Sequence, residues 1–145
     1  MNIGFYVNST EGDAFSVMCQ EVARILNEEP EWKDVAIFYE DIRPINHHVP
    51  CSLQNDADLW SFNGKLITPN LHLVLKSNNV VNNIDLYYYA GLEPINTLFL
   101  LTMMNSTNLK IICANQEHYN FIKRITNTEP LGVIPAYNGI TSVIK

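Results

Sequence analysis

Histidine and carboxylate side chains offer the first route to chemistry in this chain. His47 and His48 stand side by side in a proline-bracketed stretch, with Asp41 upstream and Asp56 downstream. Imidazole titrates near neutrality, so either ring, oriented by Asp41 or Asp56, could act as a general base. A solvated loop histidine is the commoner outcome of the same arrangement. Adjacent residues cannot face one side of an element, His72 and His118 fall on separate expected helices, and there is no HxH, HExxH or Cys/His cluster. No metal site is expected. Cys19, Cys51 and Cys113 lie far apart, without CxxC spacing or a recognisable base partner. They point to a reducing, cytoplasmic setting and no disulfide framework. Glu11, Asp13, Asp41 and Glu93 become carboxylate pairs only if the fold brings them together.

The elements that must position these groups alternate strand and helix. Ile3–Val7 is a short apolar run of strand length, bounded by polar turn residues. Phe15, Met18, Cys19, Val22, Ile25 and Leu26 then follow helical spacing, with Thr10 or Asp13 available as a cap and Pro30 as a stop. Val35–Tyr39 is the next buried strand, and a helix of this length between two strands implies parallel pairing. From Asp41 to Asp56 prolines forbid a helix. A loop of that length is usually functional or covered by a partner. A short strand is expected over Ala57–Phe62, and Lys65-Leu66-Ile67 follows the Asn63-Gly64 break. Thr68-Pro69 reads as an N-cap with proline at the first helical position, opening a helix that carries Leu71, Val74 and Leu75. Ile84–Ala90 is a strand whose Tyr87, Tyr88 and Tyr89 alternate faces as packing residues. Leu109–Ala114, a helix over Gln116–Thr126 and a strand at Leu131–Pro135 complete the series. The fold class is α/β: a single Rossmann-like domain, 1–145, with a mostly parallel sheet and helices on both faces.

One helix departs from the pattern. Over Glu93–Met104 the residues Ile95, Leu98, Phe99, Leu100, Leu101, Met103 and Met104 wrap the whole circumference. Such a helix is buried on more than one side, centrally or beneath another chain. Leu98, Leu101, Met103 and Met104 are its expected interface, with a second copy or another protein as partner.

In a parallel sheet ligands bind outside the carboxyl ends of the strands. The strand-end positions are the Asn8 to Asp13 loop, Glu40 to Arg43, Thr68, Gly91 to Glu93, Asn115 to Glu117, and Ala136-Tyr137-Asn138. From them the expected crevice is Asn8, Ser9, Thr10, Gly12, Asp13, Thr68, Glu93 and Asn115. The first loop holds one glycine where a dinucleotide fingerprint needs three, and no GxxxxGK[ST] occurs. No cofactor is expected, although the helix N-terminus could hold an anion weakly. A weakly held sugar or nucleotide is the ligand class such a crevice takes; an ordinary capped turn is the plainer reading. A receiver-type signalling domain is excluded, because Asn8 and Ser9 stand where its acidic cluster belongs and no lysine follows Ile111–Ala114.

Composition narrows the partners. The 145 residues carry a formal charge of −6 and are 47% hydrophobic and 17% charged, the balance of a folded domain. Basic residues are scattered, so no nucleic-acid partner is expected. The most apolar run, Ile95–Met104, is too short for a bilayer, so no membrane span is expected. Abundant asparagine and isoleucine with little arginine is the bias of AT-rich coding, and points to a phage or other viral source or to an AT-rich bacterium.

The stretch Phe62-Asn63-Gly64-Lys65-Leu66-Ile67-Thr68, a short helix, and then Leu86-Tyr87-Tyr88-Tyr89-Ala90-Gly91-Leu92-Glu93 resembles the N-terminal Rossmann-like half of GT-B glycosyltransferases of the phage and bacterial kind. There a G-x-x-I-A/S-T strand precedes a helix and an F-Y-x-W-D-L-E-W strand follows. Leu92-Glu93 match the L-E pair, and Ala90-Gly91 replace W-D. Leu109 to Asn115, His118, Asn127 and Gly132 to Asn138 agree as well. The resemblance implies a fold whose partner half would hold a nucleotide-sugar donor, while this half supplies acceptor contacts. Only Ala136-Tyr137-Asn138 and a short tail follow the last expected strand. The expectation is therefore a glycosyltransferase-related stand-alone domain without autonomous catalysis, working through self-association or a protein partner. The alternative is the acceptor-binding subunit of a split glycosyltransferase.

Overall fold

The structure, a computed structural model, describes residues 1–80, 83–106 and 108–145. Its six strands are β1 (Asn2–Ser9), β2 (Asp34–Asp41), β3 (Ser52–Asn55), β4 (Gly64–Thr68), β5 (Ile84–Ala90) and β6 (Lys110–Cys113). They form one all-parallel sheet in the order β3-β2-β1-β4-β5-β6. The helices are α1 (Asp13–Glu28), α2 (Leu71–Asn78), α3 (Thr97–Ser106), α4 (Gln116–Thr126) and α5 (Thr141–Ile144), with 3-10 turns at Asp56–Ser61 and Pro135–Tyr137. The chain winds outward from β1 in one direction and then from β4 in the other, so the strand order reverses between β1 and β4. That is the Rossmann-like arrangement, α/β with helices on both faces.

Strand alternation divides the core in two. Ile3, Phe5 and Val7 face the same side as Ile37, Ile67, Tyr87, Tyr89 and Ile112, and α1 covers them with Phe15, Met18, Cys19, Val22 and Ile25. Tyr6, Phe38, Leu66, Leu86, Tyr88 and Ile111 face the other side, beneath Leu71, Leu73 and Val74 of α2, Leu100 and Met103 of α3 and Ile122 of α4. The tyrosine run thus alternates and is packed on both sides of the sheet. Gly64 is indispensable at the start of β4: its φ is 147°, and a Cβ there would lie 2.5 Å from the Asn2 carbonyl oxygen.

Several elements differ from expectation. Ala57–Phe62 is not a strand but largely a 3-10 turn, capped by Asn55 Oδ1 accepting from the Ala57 amide at 3.0 Å. Its buried residues, Leu59 and Phe62, are three apart, the period of that turn rather than of a strand. The Asp41 to Asp56 stretch contains β3, an edge strand whose Ser-Leu-Gln-Asn sequence carries no apolar run, so the true loop is 42–51. The loop is anchored by Ile45, Val49 and Cys51, packed against the α1 core, while Ile42 to Pro44 and Asn46 to His48 are exposed.

Neither Thr10 nor Asp13 caps α1; Gly12 occupies that position without a side-chain bond. Thr10 instead pins the loop, accepting from the Arg43 amide at 2.7 Å and donating to the Arg43 carbonyl at 2.9 Å. Thr68 belongs to β4, and α2 starts at Leu71 after Asn70. α3 begins at Thr97, where Asn96 Oδ1 accepts from the Phe99 amide at 3.0 Å, so Glu93 lies outside it. Leu131–Pro135 runs extended beside β6, bonded through the Leu131, Cys113 and Ile134 amides, but makes one bridge rather than a seventh strand.

Within this chain α3 is not buried all round. Leu100 and Met103 are buried, Leu101 and Met104 half-buried, and Leu98 is 76% exposed. Met103 belongs to the core, not to a surface, because α2 and the sheet close over that side. No helix among the described residues is long and apolar enough to cross a membrane.

Candidate functional site

At the reversal between β1 and β4 the flanking loops part, leaving a cavity of about 320 Å³. Its walls are Val7, Asn8 and Ser9 at the end of β1, Glu11 after it, Ala14, Phe15 and Met18 of α1, Pro69 and Asn70 before α2, Leu92 and Glu93 after β5, and Tyr137. The floor is apolar and the rim polar, and no lysine or arginine lines it. Open parallel sheets place ligands at this position.

The rim is ordered by one carboxylate. Glu93 accepts the Leu71 amide at 2.6 Å, the Asn70 Nδ2 at 3.1 Å and the Tyr88 hydroxyl at 3.3 Å. Asn70 Oδ1 in turn accepts the Asn8 amide at 3.2 Å, linking the ends of β1, β4 and β5. A carboxylate on the first amide of α2 occupies the place where that helix would otherwise attract an anion. Burial, with Glu93 beside it, raises the Tyr88 hydroxyl pKa well above the ordinary phenol value.

Tyr137 closes the cavity from the α1 side. Its ring stacks on Tyr89, centroids 4.2 Å apart, and meets the edge of Phe5 at 6.1 Å. The Tyr89 hydroxyl donates to the Ile134 carbonyl and accepts the Tyr137 amide at 3.2 Å, fixing the turn. Ala136 and Tyr137 both adopt left-handed backbone, φ 52° and 58°. For non-glycine residues that conformation costs on the order of 1 kcal/mol each and clusters at binding sites. Tyr137 is 1% exposed, and its hydroxyl has no hydrogen-bond partner among the described residues. The Ser9 hydroxyl, on the same cavity, is likewise buried without one. Native proteins rarely leave such groups unsatisfied.

The expected crevice residues separate into groups. Asn8, Ser9 and Glu93 line the cavity. Thr68 is fully buried, its hydroxyl taking the Asn70 amide at 3.2 Å. Gly12 and Asp13 start α1 beside the cavity, and Thr10 is spent on the loop. Asn115 stands apart, capping α4 through the His118 amide at 2.8 Å. Asn70 was missed because Thr68-Pro69 looked like the helix start, and Phe15 and Met18 because their spacing reads only as a core face. Tyr137 was visible as a strand-end position; its orphaned hydroxyl was not.

The histidine reading gains no geometry. His47 and His48 are exposed, and the His47 ring lies against Phe15 at 5.7 Å. Asp41 pairs with Arg43 at 2.8 Å, and Asp56 takes the Tyr6 hydroxyl at 2.7 Å and Lys76 at 3.2 Å. Among the described residues neither carboxylate orients His47 or His48. No group of three His, Cys, Asp or Glu among them forms a metal site. Burial pushes the Cys19 and Cys113 thiols up to about 11 and Cys51 to about 12, away from nucleophilic character.

A second cavity, about 400 Å³, lies between Ile95 and the Glu117, His118, Asn120, Phe121 and Arg124 face of α4. His118 is already held by Asn115 at 2.8 Å, and no buried polar group there lacks a partner among the described residues. Nothing in it asks for a ligand. Comparison with protein-family models, curated proteins and solved structures finds no significant match to the chain.

Proposed function

We propose that the chain is a glycosyltransferase-related binding module, which holds a small ligand in the β1–β4 crevice and does not complete a reaction alone. The observation that carries this reading is the cavity of about 320 Å³ at the reversal of strand order, bordered by Asn8, Ser9, Glu11, Asn70 and Glu93. The missing catalysis rests on the same walls: Glu93 already serves α2, and no histidine lines the cavity. The glycosyltransferase relationship rests on the sequence resemblance alone. In its terms the crevice is the acceptor side of a two-part enzyme.

The test is amide NMR of the full chain against sugars, sugar phosphates and nucleotides. Shifts confined to Asn8, Ser9, Ala14, Phe15 and Glu93 are expected for at least one probe. A panel that moves none of these amides sinks the reading.

Association is a second reading, favoured by Leu98, which projects 76% exposed from α3. Light scattering should then give a dimer or larger species that Leu98→Glu reduces to a monomer. A monomeric wild-type chain excludes self-association.

A further inference from the structure

We infer that residues 135–145 form a strap that opens as a unit while the sheet stays folded, and that its opening takes Tyr137 out of the crevice wall. Three observations converge.

The first is how the strap is attached. The Ile134 amide still bonds to the Cys113 carbonyl of β6, at 2.8 Å. From Pro135 onward the backbone bonds turn inward: Asn138 donates to Pro135, Ile140 to Tyr137, Ser142 to Gly139 and Val143 to Ile140. Among the described residues no backbone-to-backbone bond joins 135–145 to the rest of the chain. A segment bonded to itself can leave the fold without breaking a ladder, as local cooperative units do.

The second is a closed form under tension. Ala136 and Tyr137 both hold left-handed backbone, φ 52° and 58°, which residues with a Cβ adopt at a cost. The Tyr137 hydroxyl is buried with no partner among the described residues. Opening relaxes both, because the backbone regains its ordinary regions and the hydroxyl reaches water. The tension sits where the strap meets the crevice, since Tyr137 lines that cavity.

The third is the catch that opposes it. Tyr137, Ile140 and Ile144 are buried against the α1 core. At the far end the ties are made by carboxylates: the Gly139 amide donates to Glu21 at 3.0 Å, the Thr141 hydroxyl to Glu29 at 2.7 Å and Lys145 to Glu31 at 2.7 Å. The strap is therefore strained beside the crevice and latched at the opposite end of α1. Tyr137 covers Tyr89, stacked at 4.2 Å, and the edge of Phe5. The open form presents a crevice wider by one aromatic ring.

The experiment is amide hydrogen exchange of the full chain, followed by NMR over a series of urea concentrations below the unfolding transition. The Tyr137 amide, bonded to the Tyr89 hydroxyl at 3.2 Å, reports departure from the wall. It should exchange together with the Ile140 and Val143 amides, about 100-fold faster than those of Phe5 and Tyr89 and with a shallower urea dependence, because less surface is exposed. Ala136→Gly, at ease with positive φ, should slow strap exchange about threefold, and Tyr137→Phe, without the orphaned hydroxyl, about fivefold. Thr141→Val, which takes a donor from Glu29, should speed it about tenfold. If Tyr137 and Ile140 exchange with the sheet while Val143 alone is fast, the end merely frays and the inference is overturned. It also falls if all strap amides share the rates and urea dependence of β1 and β5, or if the three variants leave strap exchange unchanged or shift it the opposite way. The measurement needs no ligand, so a strap that stays shut leaves the crevice reading standing.

Discussion

At its C-terminal end α1 meets a saturated polar network; at its N-terminal end it meets a cavity with hydroxyls to spare. Arg24 donates to Glu21 at 2.7 and 3.0 Å, to Glu29 at 2.7 Å and to Glu28 at 3.3 Å. Thr141 of α5 donates to Glu29 at 2.7 Å, the Gly139 amide to Glu21 at 3.0 Å, and Trp32 Nε1 to Glu29 at 3.1 Å. Lys145 adds contacts to Glu29 and Glu31. Every carboxylate there has donors, and the network ties the final helix to the first. At the other end Gly12 offers no side-chain cap, and the buried Ser9 and Tyr137 hydroxyls have no partner among the described residues. The same helix is tied into a polar network at one end and borders an open cavity at the other.

The sharpest way to break that contrast is Arg24→Ala. Glu21 is only 5% exposed, and removing its cation leaves buried negative charge uncompensated, at a cost of about 3 kcal/mol. Urea denaturation should show that loss, while crevice binding by the folded fraction stays as in the wild type. A loss under about 1 kcal/mol would mean the network is surface decoration, and the two ends would no longer differ in kind.

Acid titration should give the next largest effect. Burial opposes ionisation of Glu29, yet hydrogen bonds from Thr141, Arg24, Lys145 and Trp32 outweigh it and hold the carboxyl at about 2, against an ordinary 4.5. A folded-state value below the unfolded one stabilises above the unfolded pKa, and that stability disappears as the pH falls through the folded value. After allowance for solvent screening of this partly exposed group, Glu29 should therefore contribute about 2 kcal/mol at neutral pH, lost progressively between pH 4.5 and about 2. Stability measured across this window should fall less steeply in Glu29→Gln than in the wild type. Equal slopes would falsify the assignment of the acid response to this end of α1.

The two ends also differed in how far the sequence could be read. The strand–helix alternation, the α1 face from Phe15 to Ile25 and the Gln116–Thr126 helix follow from local periodicity, and the structure has them. Strand-end loops were legible as a class, so Asn8, Ser9 and Glu93 could be named as crevice residues. What failed depends on distant partners. Glu93 looks like a helix opener beside Pro94 because nothing local says that it will cap α2, 22 residues upstream. Ala57–Phe62 reads as a short strand, but its buried pair, Leu59 and Phe62, keeps the three-residue period of a 3-10 turn. Met103 reads as surface only if the whole circumference of α3 is equivalent, and α2 breaks that equivalence. The Arg24 network joins residues more than a hundred positions apart, such as Glu29 and Thr141, and has no sequence signature.

A smaller change tests whether the open end is tuned by the carboxylate that crosses it. Glu93→Gln keeps the shape of the side chain and one acceptor oxygen but removes the charge, so the Leu71 amide retains a weaker bond and α2 loses a favourable charge at its N-terminus. The cost should be about 1 kcal/mol in denaturation. The more informative readout is selectivity. With the carboxylate gone, the dipole of α2 faces the crevice uncompensated, and glucose 1-phosphate should gain affinity relative to glucose, by about fivefold. At the C-terminal end of α1 the same exchange, Glu29→Gln, should alter stability without changing that ratio. If both substitutions move stability alone, the Glu93 carboxylate is a helix cap and nothing more.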